Sequence, residues 1–351
     1  MGGLEVTIMV GATDLVVISA RVKPAAKSAT LVDHLIASGA LSACMAPLSP
    51  AKFHGRRIDG SEAGLSGAYA LNTSVNCDCD PEWVFKPRSE EAQKAGQALK
   101  SGAARGESCS KEVAAFLVDH GGFAGVPETR ALVADVQLPD RHMKEFGSLQ
   151  RYVDHEGSCE EFGTGLFDAD NIHRIGLLDL RIANMDRHEG NLLLSREVGG
   201  LHRLIPIDHG YCLPSWRQLD DIYFCWSSWR QASVPFSEET RCYVASLQPI
   251  MDIPVLIAAG VQHESIVTYV LCSFFVQQAV AQGRTLAQIA DAMQRKDAHV
   301  ESDFELLVRE AAARTGFDKV HLTSTSHWGL PIVASFLKAF LSSAHGLLSP
   351  K

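Results

Sequence analysis

No C-x-x-C pair occurs among the nine cysteines of this 351-residue chain. Cys77 and Cys79 flank one residue, too close for an ordinary disulfide or a complete zinc site, so free thiols in a reducing compartment are predicted. No dense run of Lys or Arg occurs either, and the net charge is −9. A basic stripe is therefore lacking, and no nucleic-acid partner is expected. The acidic balance also argues against docking the whole surface on anionic lipid, although a local basic patch stays open. No apolar run approaches the length of a membrane span. The stretch 6–20 is interrupted by Asp14 and has no basic lead, so no signal peptide is predicted. The expected location is cytoplasmic, with membranes reached only peripherally. No internal repeat or low-complexity tract is present.

What is present is a chain with 46% hydrophobic residues, enough to bury a large core. Residues 172–214, IHRIGLLDLRIANMDRHEGNLLLSREVGGLHRLIPIDHGYCLP, are the most informative. Ile175, Leu178 and Ile182 fall at helical spacing. After Asn191 come an apolar strand (Leu192, Leu193, Leu194), a polar turn over 195–200, and a second strand over 201–207. Pairing the strands puts Asn191 opposite Asp208, with Asp186 on the loop leading in. D-x-x-x-x-N, a hairpin and D-x-G together fit phosphoryl transfer, which needs hard oxygen ligands for Mg²⁺ and a group to take or orient an acceptor proton. On this reading Asp208 and Asn191 hold the metal, Asp186 meets the acceptor hydroxyl, and Gly210 allows a sharp turn. A rival reading gathers Asp186, His188, His202, Asp208 and His209 into a metal-hydrolase cluster.

The upstream half weighs against that rival, because it supplies nucleotide-binding parts a hydrolase has no use for. SEAGLSGAYAL places Gly64 and Gly67 in a β-turn-β where backbone amides can approach phosphates. WVFKP is a short strand ending in Lys86, a point charge for the α- and β-phosphates. SKEVAAFLVDH has helical spacing, with Glu112 in its first turn, either pairing with Lys86 or complementing the helix dipole.

The stretches VFKPRSEEA, GFAGVPETRALV, FGSLQRYV, LLDLRIANMDRHEGNLLL, LIPIDHGYCLP and VPFSEET resemble the phosphatidylinositol 3-/4-kinase superfamily. Within it the type II phosphatidylinositol 4-kinases are most similar, in particular the plant and algal gamma-type. The resemblance runs from about Ser61 to Asp297. It implies an α+β, two-lobed protein-kinase-like fold, with a small β-rich N-lobe and a larger, mainly helical C-lobe. The expected division is 1–50 unassigned, 51–153 N-lobe, 154–316 C-lobe and 317–351 a tail. By resemblance, Asp186, Arg187, Asn191 and Asp208 are catalytic, with Asn191 and Asp208 also the metal ligands. Gly64, Ser66, Gly67, Lys86, Glu112, Gln150, Tyr152 and Val153 bind ATP, the segment Gly147, Ser148, Leu149, Gln150, Tyr152 and Val153 linking the lobes and holding adenine. ATP and Mg²⁺, or Mn²⁺ in its place, are the implied cofactors. The implied reaction is transfer of the ATP γ-phosphate to phosphatidylinositol in a membrane, at the 4-hydroxyl. A protein substrate is the alternative, since gamma-type relatives have been associated with protein phosphorylation, and a catalytically weak nucleotide-binding scaffold is another.

There are departures. The glycine loop reads GLSGAY, with Ser66 where the family commonly has glycine. The cysteine-rich palmitoylation stretch of the animal type II enzymes is missing, and residues 1–50 match no module.

Two further segments carry expectations. The one after Asp208, GYCLPSWRQLDDIYFCWSSW, offers only Arg217 as a cation, which suits a singly charged acceptor better than a polyphosphorylated head group. Its rings Tyr211, Trp216, Tyr223, Phe224, Trp226 and Trp229 either meet a membrane interface or pack the C-lobe. In the tail, Ile332, Phe336 and Phe340 and Val333, Leu337 and Leu341 repeat every four residues. That predicts an amphipathic helix, packed on the C-lobe rather than lying on a membrane.

Overall fold

The computed structural model describes residues 5–10, 16–21, 52–58, 67–74, 80–91, 100–195 and 202–349. The protein is α+β. Near the N-terminus, β1 (Glu5–Val10) and β2 (Val16–Arg21) form an antiparallel hairpin, as the alternating stretches LEVTIMV and DLVVISARV lead one to expect. The helix-like stretch ATLVDHLIASGAL lies outside the described residues.

Strands β3 (Lys52–Ile58), β4 (Ala68–Asn72), β5 (Trp83–Pro87), β6 (Thr129–Gln137) and β7 (His142–Arg151) close into a barrel in the order β3-β4-β5-β7-β6. Parallel pairing of β3 with β6 makes the closure. Phe53, Tyr69, Leu71, Phe85, Val136 and Leu149 fill its interior. Because side chains alternate along a strand, the inward Phe85 directs the next residue, Lys86, to the other face. Gly147 on β7 lies across from Pro87. A Cβ there would sit 2.2 Å from the Lys86 carbonyl oxygen and 2.8 Å from the Phe85 ring. Backbone must yield for any side chain, so Gly147→Ala is expected to cost about 1–3 kcal/mol in urea unfolding. A loss below about 0.5 kcal/mol would contradict this packing.

Helix α1 (Ser108–Val118) packs on β6 and β7, and its Val113 and Leu117 meet Val255 of the helical part. The rest of the chain begins with a three-stranded sheet of β8 (His155–Ser158), β9 (Leu192–Ser195) and β10 (Leu204–Pro206), ordered β10-β9-β8. Helices follow in chain order: α2 (Ala169–Arg181), α3 (Glu238–Ser246), α4 (Ile253–Ala258), α5 (His263–Ala281), α6 (Leu286–Met293), α7 (Asp303–Thr315) and α8 (Pro331–Leu348). They share one apolar core. Asp168 caps α2 through the Asn171 amide, while Thr285/Gln288 and Ser302/Glu305 form capping boxes on α6 and α7.

One expectation needs correcting. Helices α5 and α8 are both long and apolar enough, by length and composition, to cross a membrane. Scattered polar residues hide this from a search for an unbroken run. Helix α5 is apolar all round because it is the central helix of the core, with 78% of its span buried. Helix α8 buries Val333, Phe336, Leu337, Phe340, Leu341 and Ala344 against α5 and α7, as the tail's periodicity predicts for a packed helix.

His173 of α2 is buried, with its Nε2 3.0 Å from the Gln231 carbonyl and its ring edge on Phe236. Burial pulls its pKa below the usual histidine value. An unfolded chain therefore binds this proton first, near pH 6.5. Stability is fully present above that pH and falls as the pH drops below it, by at most about 1.4 kcal/mol per unit. His173→Gln should flatten the fall in Tm between pH 7 and pH 5.5. An unchanged slope would remove His173 from the acid response.

Candidate functional site

The site lies where the barrel meets the hairpin β9/β10. Lys86 Nζ reaches Glu112 Oε1 of α1 at 2.6 Å and Asp208 Oδ1 at 2.9 Å. Glu112 is buried in the second turn of α1, because the helix begins earlier, at Ser108, than the sequence pattern suggests. Its other oxygen accepts the His209 amide at 3.1 Å. The reading of Glu112 as an ordinary dipole-complementing acid is thereby set aside: it ties the lysine strand to the D-x-G turn.

The charges respond to one another. Burial pushes the Glu112 carboxyl up, and Lys86 offsets this only in part, so it stays above the usual carboxylate value. Burial also acts upward on Asp208, but the Lys86 charge outweighs it and holds the carboxyl below the usual value. Lys86 itself, pulled down by burial, is raised overall by the two acids and stays protonated. Asp208 is thus the ionised partner of the pair. It stands in left-handed backbone, at φ 53, so the sharp turn is made by the aspartate itself, a residue type that tolerates this region. Gly210, expected to supply that turn, serves a different need. A Cβ on it would lie 2.3 Å from Ser108 Oγ, so its smallness admits the start of α1.

The loop carrying Asp186 is built on buried charge. Arg187 Nε bonds Asp179 of α2 at 3.0 Å, with both side chains fully buried. Its Nη1 donates to the carbonyls of Asn191 (2.6 Å) and Ile207 (2.8 Å), and Nη2 to His209 Nε2 (2.9 Å). Burial, then the Arg187 charge, pull His209 well below the usual histidine value, so it is neutral. Asp179 also accepts from Asn184 Nδ2 and Trp226 Nε1, both at 2.9 Å. Arg187, expected among the catalytic residues, is corrected to a positioning residue. Its guanidinium faces away from solvent and clamps the two strand ends that present Asn191 and Asp208. Asn191 Nδ2 donates to the Asp186 carbonyl at 2.9 Å, which fixes the amide on the Asp186 loop. The hairpin forms one residue out of the expected register. Leu204 faces Leu194 and Pro206 faces Leu192, so Asn191 stands across from Ile207, whose amide meets the Asn191 carbonyl at 3.1 Å, and Asp208 follows directly.

Other predicted residues fall as follows. Gly64 and Ser66 lie outside the described residues, while Gly67 leads into β4 beside Glu90. Gln150 bonds Thr129 Oγ1 at 2.9 Å and so braces β6 to β7. The Tyr152 amide is taken by the Glu82 carbonyl (3.0 Å), and the Val153 carbonyl accepts from His155 Nδ1 (2.9 Å). Both groups are spent within the protein, which narrows any base contact at this strand end. The hydrolase cluster does not form. His209 is buried on Arg187, His202 leans on the Ser195 carbonyl, and no group of three or more His, Cys, Asp or Glu among the described residues can hold a metal. A carboxylate, Asp208, and an amide oxygen, Asn191, are hard-oxygen donors of the kind that would suit Mg²⁺.

Of the rings after Asp208, Trp216, Phe224, Trp226 and Trp229 are buried in the core. Tyr211 is half-buried, and Tyr223 alone is well exposed, at 48%. Arg217 bonds Glu264 and the carbonyls of Asp318 and Val320, so it anchors this segment to the helices.

A model of the phosphatidylinositol 3- and 4-kinase family matches residues 92–289, more than half of the chain. The chain belongs to this family. It is 36% identical over 281 residues to phosphatidylinositol 4-kinase gamma 8 of Arabidopsis thaliana, covering 72% of this chain and 52% of that protein. Phosphatidylinositol 4-kinase gamma 1 of the same plant is 37% identical over 272 residues, covering 70% and 48%. A rice protein, phosphatidylinositol 4-kinase gamma 4 of Oryza sativa subsp. japonica, is 35% identical over 272 residues, covering 72% and 47%. The chain thus spans about half the length of the relatives it matches. Family membership agrees with the order of parts in the sequence: lysine strand, glutamate helix, D-x-x-x-x-N, hairpin, D-x-G.

Sequence reasoning passed over Asp179, Asn184 and Lys100, and read His209 only as a member of the rival metal cluster. Asp179 had a signal, as a lone acid inside the apolar helix segment LLDL ahead of Arg187. Lys100 had none, because it lies in a polar stretch without periodicity.

Proposed function

We propose that the chain is the catalytic core of a two-lobed, protein-kinase-like phosphoinositide kinase. It would transfer the γ-phosphoryl group of ATP to phosphatidylinositol, at the 4-hydroxyl by the names of its relatives. The barrel with α1 serves as the N-lobe and the helical part as the C-lobe. The observation that carries the reading is the convergence of Lys86, Glu112 and Asp208 at 2.6 and 2.9 Å beside the Asp186–Asn191 loop. Lys86 neutralises the α- and β-phosphates and is braced by Glu112. Asp208 and the Asn191 amide oxygen would hold Mg²⁺, which when bound neutralises charge on the phosphate oxygens. Asp186 accepts the proton of the attacking hydroxyl.

A singly charged acceptor is supported by Arg217, the one lysine or arginine of segment 210–229, being engaged with Glu264 and backbone carbonyls. One observation favours a Ser/Thr protein acceptor instead: the rings that would meet a membrane interface are mostly buried. The test offers γ-labelled ATP with phosphatidylinositol, phosphatidylinositol 4,5-bisphosphate and a Ser/Thr-rich protein in parallel mixed-micelle assays. Label chiefly in phosphatidylinositol is expected. Label in protein alone would transfer the assignment to a protein kinase. Contact with the membrane would be peripheral and the location cytoplasmic.

A further inference from the structure

Lys100 bridges the cleft in a way the proposed mechanism does not use. Its Nζ lies 2.7 Å from Asp186 Oδ1 and donates to the Met185 carbonyl at 2.6 Å. It stands 5.9 Å from the centre of the Tyr211 ring, just after the D-x-G turn. The lysine is held there by its own backbone. The Ser101 amide bonds Asp221 Oδ2 at 2.6 Å, and the Gly102 carbonyl accepts the Ser215 amide at 3.2 Å. The segment leading into α1 is thus fastened to the segment that follows Asp208. Lys100 remains 32% exposed and Asp186 25%, so a substrate can reach both.

The need for a cation at this point follows from the chemistry. In the transfer, an acceptor hydroxyl oxygen forms a bond to the γ-phosphorus. The bond from that phosphorus to the β,γ-bridging oxygen breaks, ADP leaves with the electron pair, and the hydroxyl proton passes to Asp186. Charge spreads over the three equatorial oxygens of the moving group, and fixed cations there lower the barrier. The loop from Asp186 to Asn191 contains no lysine, and its arginine, Arg187, is buried against Asp179. Lys86 is engaged on the other side, with Glu112 and Asp208.

We propose that Lys100, supplied from the strap ahead of α1, is the catalytic cation that meets the transferring phosphoryl group and aligns Asp186 with the acceptor. This rests on the reading of the site as a phosphotransferase. Lys100 keeps its proton throughout and moves from the Asp186 carboxylate to the equatorial oxygens as charge builds on them. Before substrate binds, the contact with Asp186 holds the ammonium in place and spares it a search through rotamers.

The test compares wild type, Lys100→Met and Lys100→Arg in phosphoryl transfer and in equilibrium binding of two ligand sets. These are ADP with Mg²⁺, and ADP with Mg²⁺ and aluminium fluoride, which mimics the moving group. For Lys100→Met the expected result is a fall in kcat of about 10²–10³-fold with KM for ATP changed less than about threefold. Aluminium fluoride should no longer tighten ADP binding, while ADP alone binds as in wild type. Lys100→Arg should recover part of kcat. Equal loss of affinity for both ligand sets, or a lowered Tm accounting for the lost activity, would overturn the proposal and leave Lys100 a structural tie. A rise in kcat for Lys100→Met would overturn it too, and make the pair an inhibitory latch. If wild type transfers nothing, the binding comparison still decides the role of Lys100. If wild type does not bind ADP with Mg²⁺ at all, the kinase reading fails first, and the proposal with it.

Discussion

Asp208→Asn lowers kcat for phosphoryl transfer by at least about 10³-fold and leaves the fold intact: that is the largest effect expected of any single change in the site. Asparagine adopts left-handed backbone as readily as aspartate, so the residue keeps its φ of 53 and only the charge is lost. That charge has two roles. It is the ionised carboxylate facing Lys86 Nζ at 2.9 Å, and in the proposed function it would hold Mg²⁺ together with Asn191. Removing it leaves Lys86 paired with Glu112 alone, and it would take away the carboxylate proposed to hold the metal. Steady-state transfer at saturating Mg²⁺ checks this, with circular dichroism to confirm folding. Activity within tenfold of wild type would remove Asp208 from the metal site.

The second large effect is on stability. Arg187→Met is expected to cost about 3–5 kcal/mol, because it strands Asp179 as a buried carboxylate without its cation. The Ile207 carbonyl loses the Arg187 donor at the same time, and the Asn191 carbonyl keeps only the Ile207 amide. Asn184 and Trp226 still bond Asp179, which limits the loss but cannot neutralise the charge. Asp179→Asn with Arg187→Met should cost less than the two single losses added, since the pair is then removed together. Urea unfolding measures all four proteins. A loss below about 1 kcal/mol for Arg187→Met would mean the charge is reached by solvent after all. Its activity should also fall, since Arg187 clamps the two strand ends that carry Asn191 and Asp208.

What could be read in the sequence was what local spacing controls. The hairpin followed from Leu192–Leu194 and the turn residues, but its register fell one residue from the expected pairing, with Ile207 rather than Asp208 across from Asn191. Helix α2 followed from Ile175, Leu178 and Ile182. The pairing of Lys86 with Glu112 was legible only as one of two readings, because it depends on a helix docking against a barrel. The barrel's closure by parallel β3 and β6 had no signal, as those strands lie far apart in the chain. Arg187 was placed in the chemistry because its motif sits between catalytic positions. The buried Asp179 that claims it is eight residues upstream, on another element, and nothing local ties the two together. The aromatic residues after Asp208 could not be sorted into core and surface by type alone. Trp226 is inside with its indole nitrogen on Asp179, while Tyr223 is 48% exposed.

The central claim is that the Lys86–Glu112–Asp208 cluster and Asp186 form one phosphotransfer centre acting on phosphatidylinositol. The most direct test follows label from γ-³²P-ATP into phosphatidylinositol micelles with the purified chain and with Asp186→Ala, separating the deacylated products by chromatography. The account predicts Mg²⁺-dependent label in a single glycerophosphoinositol monophosphate after deacylation, reduced at least about 10²-fold in the variant. Equal labelling by Asp186→Ala, or nucleotide binding without label in any acceptor, would contradict it.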